Sequence, residues 1–263
     1  MILLKSVLAF AFKEGDRLGV DPWGGYEPTV AKQKVSAALE KHRHVFSRHE
    51  VQAIIAYTSK TRDPNTIDYW GPLFGAYNGL RLEEISQVRT VDLSNEEGFL
   101  CVTITDAGEL QTVKNPNSFR TIPIHQDLIR LGFGEFVERR SKASGDMLFM
   151  ESDRWHGSLH EIKPDGQGRH GTMYGSRFAD KEYGVLAKLN IIGHKVGFHS
   201  FRHAWTDLAR NAGINPEHRR ALAGRDSEAE NEGVRTDNTE NRYGHGFDIE
   251  VLAKSLNQLK PLV

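Results

Sequence analysis

Residues 198–205, FHSFRHAW, place three ionisable side chains among aromatic ones. If this stretch is helical, His199 and Arg202 are three residues apart and project from the same face. A guanidinium fork beside an imidazole can bind a phosphate group through charge-assisted hydrogen bonds. Taken alone, however, the stretch favours a simpler structural reading, in which His199 caps the helix and Arg202 forms a salt bridge.

Three other stretches carry residues of related chemistry. GLRLEE contains Arg81 and Glu84, VKNPNSFRTIP contains Lys114, and RYGHG contains Tyr243. In isolation, the first is typical of an exposed ion pair on a helix and the second of a solvated turn lysine. A phenol with a pKa of about 10 is roughly 0.1% ionised at pH 7, so a tyrosine nucleophile needs a proton acceptor or a positive field nearby.

In chain order, the four stretches resemble the sequence boxes of the tyrosine recombinases, or phage-type integrases, which break DNA with a tyrosine nucleophile. GLRLEE is similar to the first arginine box and VKNPNSFRTIP to the strand-turn-strand lysine signature. FHSFRHAW, with the AGI that follows it, is similar to the histidine-arginine box, and RYGHG to the nucleophile site. The lysine signature is the most specific of the four matches.

The resemblance implies a role for each matched residue. Arg81 and Arg202 would bind the scissile phosphate, and Glu84 would support the arginine side. His199 would act beside them in the active site, whereas His203 would have a structural or supporting role.

The resemblance also implies the course of the reaction. Tyr243 would attack the phosphate, and Lys114 would protonate the leaving 5′ oxygen, as a general acid does. The resulting 3′-phosphotyrosyl link conserves the bond energy, so that a new 5′-hydroxyl can attack without ATP, metal or another cofactor.

One position departs from the resemblance. In ALAGRDSE, Arg225 stands where the integrases usually have a second active-site histidine. An arginine can donate hydrogen bonds to a phosphate, but with a pKa above about 12 it cannot shuttle a proton. Either Arg225 serves as a donor in the catalytic set, or the activity is weakened.

Histidines between residues 151 and 175 offer a second chemistry, that of a metal site. His156 and His160 have the i, i+4 spacing of helical ligands, and His170 follows. The surrounding glycine, proline and charged residues do not favour a helix, and the HExxH pattern is not present. We therefore predict no metal site.

Hydrophobic patterns predict an α+β, mainly helical fold with a small three-stranded antiparallel sheet, as in the integrase-type catalytic domain that the resemblance implies. Ser47 and Glu50 have capping-box spacing and predict the start of a helix. Three short runs, FLCVTIT, LQTVK and FRTIPIH, predict the sheet. Further helices are predicted over residues 67–78, 80–93, 126–142, 199–212 and 216–222 and in FDIEVLAKSLNQL near the end of the chain, and a loop over 151–175.

Composition limits the class of protein. The 263 residues carry a formal net charge of -1 at pH 7 and one cysteine, Cys101, which excludes an internal disulfide framework and cysteine-based zinc sites. Lys5 interrupts the apolar start MILLKSVLAFAF, so we expect no signal peptide and a cytoplasmic protein without membrane spans. The turn-rich DPWGGYEP predicts a linker, and the resemblance implies that residues 1–28 are the remnant of a helical core-binding domain plus this linker, and 29–263 the catalytic domain.

Partners and rival functions follow from the same resemblance. It implies double-stranded DNA as partner and a homotetramer on DNA, linked through the C-terminal helix whose stripe is Leu252, Leu256 and Leu259. The alternative for this stripe is packing on its own core, with a monomer when free of DNA. Two other functions stay open: a catalytically weakened DNA-binding homologue, and a type IB topoisomerase-like enzyme that relaxes DNA.

Overall fold

The computed structural model describes residues 43–114, 118–152, 158–225 and 246–263, all within the unit His42–Val263. The predicted boundary between residues 28 and 29 lies outside the described residues. The helices are α1 Arg48–Thr61, α2 Ile67–Tyr77, α3 Leu82–Ser86, α4 Gln126–Arg130, α5 Phe133–Ser141, α6 Thr172–Phe178, α7 Val185–Lys188, α8 His199–Asn211, α9 Pro216–Ala223 and α10 Ile249–Leu256. The strands are β1 Leu93–Glu96, β2 Phe99–Ile104, β3 Arg120–Pro123, β4 Met150–Ser152 and β5 Leu159–Glu161.

Helix α1 begins where the capping-box spacing predicts. The Ser47 hydroxyl accepts from the Glu50 amide at 3.2 Å, and the Glu50 carboxylate accepts from the Ser47 amide at 2.7 Å. These bonds satisfy amides that have no partner inside the helix. The predicted apolar face is buried through Val51, Ile54 and Ile55.

Helix α2 is the central helix of the core, since apolar side chains on all its sides are buried. It packs against α8, and the indole nitrogen of Trp205 donates to the Tyr77 carbonyl at 3.0 Å. Gly75 permits this approach, because a Cβ there would lie 3.0 Å from Phe201. The contact between α2 and α8 sets the position of the histidine-arginine box.

A three-stranded antiparallel sheet is present, as predicted, but its strands run in the order β1-β2-β3 and the first is not one of the predicted runs. The helix predicted over residues 80–93 ends at Ser86, and Leu93–Glu96 pairs with β2. A two-residue turn joins these strands at Glu97 and Gly98, both with positive φ (54° and 83°), which is the geometry of a tight hairpin.

The run LQTVK is not a strand, contrary to the sequence prediction. The side-chain amide of Gln87 donates to the Thr112 carbonyl at 2.6 Å and accepts from the Thr112 amide at 2.9 Å. One side chain thus supplies the backbone partners that a neighbouring strand would offer, so this segment is held without joining the sheet.

The described residues between 151 and 175 include regular secondary structure, which differs from the predicted loop. Strand β4 pairs with β5 in an antiparallel two-stranded sheet, and α6 begins at Thr172. Two features that the composition obscures hold this region: Tyr174 and Phe178 are buried, and the Glu83 carboxylate accepts from the amides of His170 and Gly171 at 2.6 and 2.8 Å.

The stripe of the C-terminal helix packs on the chain's own core. Leu252, Leu256 and Leu259 are all buried, and α10 lies against β3 and α9. A single chain therefore buries this stripe on its own core, which is one of the two alternatives given above. The oligomeric state stays a prediction.

Within the described ranges, the structure contains no helix long and apolar enough to span a membrane.

His125 is a buried titratable side chain of the core. Its ring is buried against Tyr77, with ring centroids 4.7 Å apart, and accepts from the Asp127 amide at 3.0 Å. Burial, with a smaller effect of the Arg130 charge, lowers the pKa of His125 from 6.5 to about 4. Between these two values the unfolded chain binds more protons than the folded one, so acidification favours unfolding.

We expect the free energy of unfolding to fall as the pH drops from 6.5 to 4, with His125 contributing at most about 1.4 kcal/mol per pH unit. Urea titrations at several pH values measure this slope. His125→Asn is the matched variant, because its side-chain oxygen can still accept from the Asp127 amide but does not titrate. Equal slopes for the two proteins would exclude His125 as the cause.

Candidate active site

Arg202 is buried on a helix that aromatic side chains anchor in the core. Phe198, Phe201 and Trp205 are buried and anchor α8. Arg202 itself is 3% exposed. Its Nη1 donates to the Gly79 carbonyl at 2.9 Å, and its Nη2 donates to the Ala223 carbonyl.

Arg81 lies at the start of α3, where Glu84 fixes it twice. The Glu84 carboxylate accepts from the Arg81 backbone amide at 2.9 Å and from its Nη1 at 2.5 Å. The Nη2 of Arg81 donates to the Gly224 carbonyl at 3.3 Å, and the side chain is 20% exposed. The predicted pairing of Arg81 with Glu84 is therefore present.

Arg120 is a site residue to which the sequence interpretation assigned no role. Its two terminal nitrogens donate to both Glu84 oxygens at 3.2 and 3.0 Å, and its Nε donates to the Leu222 carbonyl at 3.0 Å. A signal was present in the sequence: Arg120 shares a strand face with the buried Ile122. An arginine on the inward face of a strand requires a carboxylate partner.

The three arginines meet at the C-terminal end of α9. The consecutive carbonyls of Leu222, Ala223 and Gly224 accept from Arg120, Arg202 and Arg81, in that order. Carbonyls in the last turn of a helix have no partner inside the helix and form the negative end of its dipole. Guanidinium groups therefore satisfy this helix end, and the helix end fixes the positions of the guanidinium groups.

Arg225 completes what we call the arginine cluster, which consists of Arg81, Arg120, Arg202 and Arg225. It directly follows Gly224, whose φ of 58° turns the chain out of α9, and it is half-buried. Burial, then the charge of Arg81, lowers the pKa of Arg225. Burial, then Arg81, lowers the pKa of Arg202 to about 9, so the side chain stays charged at neutral pH.

The carboxylate of Glu84 balances part of this charge. Burial alone would raise its pKa, but Arg120, Arg81 and Arg202 outweigh burial, and the pKa lies below the ordinary value. Glu84 is therefore ionised at neutral pH. Glu84 contacts Arg81 and Arg120, and its single negative charge does not balance the four arginines, so the site is cationic.

His199 and His203 lie beside the cluster on α8, with ring centroids 5.0 Å apart and planes nearly perpendicular. Partial desolvation, then the charges of His203, Arg43 and Arg202, lowers the pKa of His199 to about 4. The pKa of His203 is lowered as well, first by desolvation and then by Arg225. At neutral pH both imidazoles are uncharged, so each has a nitrogen that can accept a proton.

The described part of the site does not include two of the predicted residues. Lys114 is exposed on the segment between β2 and β3. Among the described residues, it makes no hydrogen bond or ion pair with the arginine cluster. Tyr243 lies outside the described residues, as does His156 of the rejected metal set. In the part of the chain that the structure describes, we find no group of three metal-ligating side chains.

Gly224→Ala should destabilise the protein more than Gly98→Ala. At φ 58° an alanine is strained by about 1–2 kcal/mol, and its Cβ would also lie 2.5 Å from Nη1 of Arg120. Gly98→Ala is the control, because Gly98 has φ 83° and no atom within 4 Å of the added Cβ. Urea unfolding should show the larger loss of stability for Gly224→Ala, and equal losses would contradict the close contact with Arg120.

Comparisons with known proteins give a likeness in structure only. No family model matches the sequence, and no curated protein matches it. The Tn1549 transposon integrase in complex with a circular intermediate DNA aligns with a TM-score of 0.51 and 16% identity, over 80% of this chain and 65% of that one. The same integrase in complex with transposon right end DNA gives 0.50 and 15%, over 83% and 67%.

The XerH site-specific recombinase bound to its difH substrate aligns less closely, with a TM-score of 0.47 and 16% identity over 71% of this chain. The alignment spans 48% of the XerH chain, so this protein covers about half the length of that recombinase. Together with the helix and strand order, the Tn1549 alignments show the fold. The described residues therefore have the mainly helical fold of the tyrosine recombinase and integrase catalytic domain.

Proposed function

We propose that this protein is a site-specific recombinase of the phage-integrase type, which cleaves and rejoins double-stranded DNA through a 3′-phosphotyrosyl intermediate. The observation that carries the proposal is the placement of Arg81 and Arg202 on adjacent carbonyls at the end of α9. Arg225 and the uncharged His199 lie beside them. A cationic site with a proton acceptor is what cleavage of a phosphodiester by a phenol requires.

The arginines would bind the scissile phosphate through the N–H groups that do not already donate to protein acceptors. A guanidinium has five N–H groups, and the bonds of Arg81 and Arg202 to protein acceptors use only part of them. The remaining donors can meet the non-bridging oxygens, where negative charge grows in the transition state. Because the protein already fixes both groups, they need little reorganisation when the charge develops.

The chemical step needs two proton transfers in this proposal. The Tyr243 oxygen forms a bond to phosphorus as its proton passes to His199, which is uncharged at neutral pH. The bond from phosphorus to the 5′ oxygen breaks, and Lys114 donates the proton that the leaving oxygen takes up. Lys114 is exposed, so its ammonium group is accessible to a DNA strand.

Partners follow from the same proposal. Double-stranded DNA is the substrate, in line with the DNA complexes of the Tn1549 integrase. We propose a homotetramer on DNA and action in the cytoplasm, in the integration or excision of a mobile element. No metal or ATP enters the scheme.

Arg225 supports a second candidate, a homologue that binds DNA but does not cut it. An arginine keeps the positive charge of the site but cannot exchange a proton at neutral pH. In this alternative, the arginine cluster binds a backbone phosphate and the reaction stops there.

A nicked suicide substrate tests cleavage directly. The loss of the short 5′ fragment prevents religation, so the wild-type protein should accumulate a covalent protein–DNA complex visible on a denaturing gel. Tyr243→Phe should form none while binding the same DNA, because it lacks only the phenolic oxygen. DNA binding without any adduct from the wild type would favour the non-cleaving homologue, and adducts with supercoil relaxation on every sequence would favour the topoisomerase-like enzyme.

Arg225→Ala tests whether Arg225 acts as a donor in the site. We expect the single-turnover rate of adduct formation to fall by about 10²–10³-fold, the usual effect of losing one donor to a developing oxyanion. Arg210→Ala is the control, since it removes a positive charge from an exposed position on α8, where Arg210 pairs with Asp207. If both variants lose the same modest amount, Arg225 contributes only general charge.

A further inference from the structure

Arg120 is connected to both halves of the site and still has little contact with solvent. It binds Glu84 on α3 through two nitrogens and the Leu222 carbonyl of α9 through its Nε. Its Nη1 also donates to the Ser118 carbonyl at 2.8 Å, and its side chain is 8% exposed. Protein acceptors thus occupy most of its donors, so Arg120 is not itself a phosphate-binding group.

We propose that Arg120 is a positioning residue, which holds Arg81 and the end of α9 in the relative geometry that phosphate binding requires. The inference rests on the proposed function for its catalytic consequence. Its structural part, that Arg120 sets the position of Arg81, can be tested without any reaction.

The first step concerns Glu84, which lies between Arg81 and Arg120. Its carboxylate is 5% exposed and ionised, and it therefore needs hydrogen-bond donors on both oxygens. With Arg120 in place, Oε1 accepts from both guanidinium groups, and Oε2 accepts from Arg120 and from the Arg81 backbone amide. Without Arg120, the buried carboxylate would be left with Arg81 as its main partner, and Arg81 would turn toward it and away from Gly224.

The second step concerns the end of α9. The carbonyls of Leu222, Ala223 and Gly224 each bind a different arginine, so removing Arg120 frees one of three connected attachments. The helix end can then shift, and with it Arg225, which follows directly. Arg120 therefore couples the phosphate-binding side of α3 to Arg225 at the end of α9.

Lysine cannot replace Arg120 in this geometry. A guanidinium is a planar fork that can bind two carboxylate oxygens on one edge and a carbonyl on another. An ammonium group is a point charge on a flexible stem, so Arg120→Lys keeps the charge but loses the simultaneous contacts. This variant therefore separates positioning from charge.

The experiment measures single-turnover adduct formation on the suicide substrate at saturating DNA, for the wild type, Arg120→Lys and Arg120→Gln. Rates are corrected for the folded fraction by circular dichroism. Arg177→Lys is the matched control, because the Arg177 guanidinium is likewise held by carboxylate oxygens, those of Asp68 at 2.9 Å and Glu151 at 3.1 Å, but it lies on α6. We expect both Arg120 variants to lose about 10–100-fold in rate with unchanged DNA affinity, since a misplacement of about 1 Å can cost about 10²-fold.

The outcomes are distinct. If the wild type cleaves and Arg120→Lys cleaves at the same rate, or if Arg177→Lys loses as much, the positioning role is overturned. If the wild type itself forms no adduct, the proposed function fails, and crystal structures of the wild type and Arg120→Lys decide the inference. A displaced Arg81 guanidinium in the variant would support it, and an unmoved one would overturn it.

Discussion

The end of α9 is the point on which the site depends. Three of its carbonyls, at Leu222, Ala223 and Gly224, would be unsatisfied in a buried helix end, and three guanidinium groups satisfy them. The helix end also stabilises the guanidinium groups, because the negative end of the helix dipole attracts positive charges that would otherwise repel one another. Local helix geometry thus assembles a cationic site from α3, β3 and α8.

Burial disfavours charged side chains at this site, and neighbouring cations disfavour further positive charge. Together these two effects set the pKa values of Arg202 and His199. Desolvation and neighbouring cations lower the pKa of Arg202 to about 9 and that of His199 to about 4. The arginine nevertheless stays charged at neutral pH, while the imidazole becomes uncharged. One environment therefore provides both fixed positive charge and an uncharged imidazole, and either of these can activate a nearby phenol.

Much of the fold could be predicted because the signals are local. The Ser47 capping box, the helix after Asn215-Pro216 and the apolar stripe of α10 depend on neighbours a few residues away, and each has its predicted place. The errors occur where a distant contact decides the outcome. The β-branched residues of LQTVK favour a strand, but the side-chain amide of Gln87 forms the hydrogen bonds of the Thr112 backbone. The strands β4 and β5 pair with each other in a segment whose composition is typical of a loop.

The sequence by itself determined the kinds of side chain in the candidate site and their order along the chain, because box spacing and helical period are properties of the linear chain. It also placed Arg81 with Glu84, which are close enough for a local pair. Only the tertiary structure brought in Arg120 and joined three arginines to one helix end, because Arg120 and Leu222, like Arg81 and Gly224, are far apart in sequence and meet only when the core packs. Which donors remain for a phosphate depends on those long-range contacts, and local sequence patterns carry no information about them.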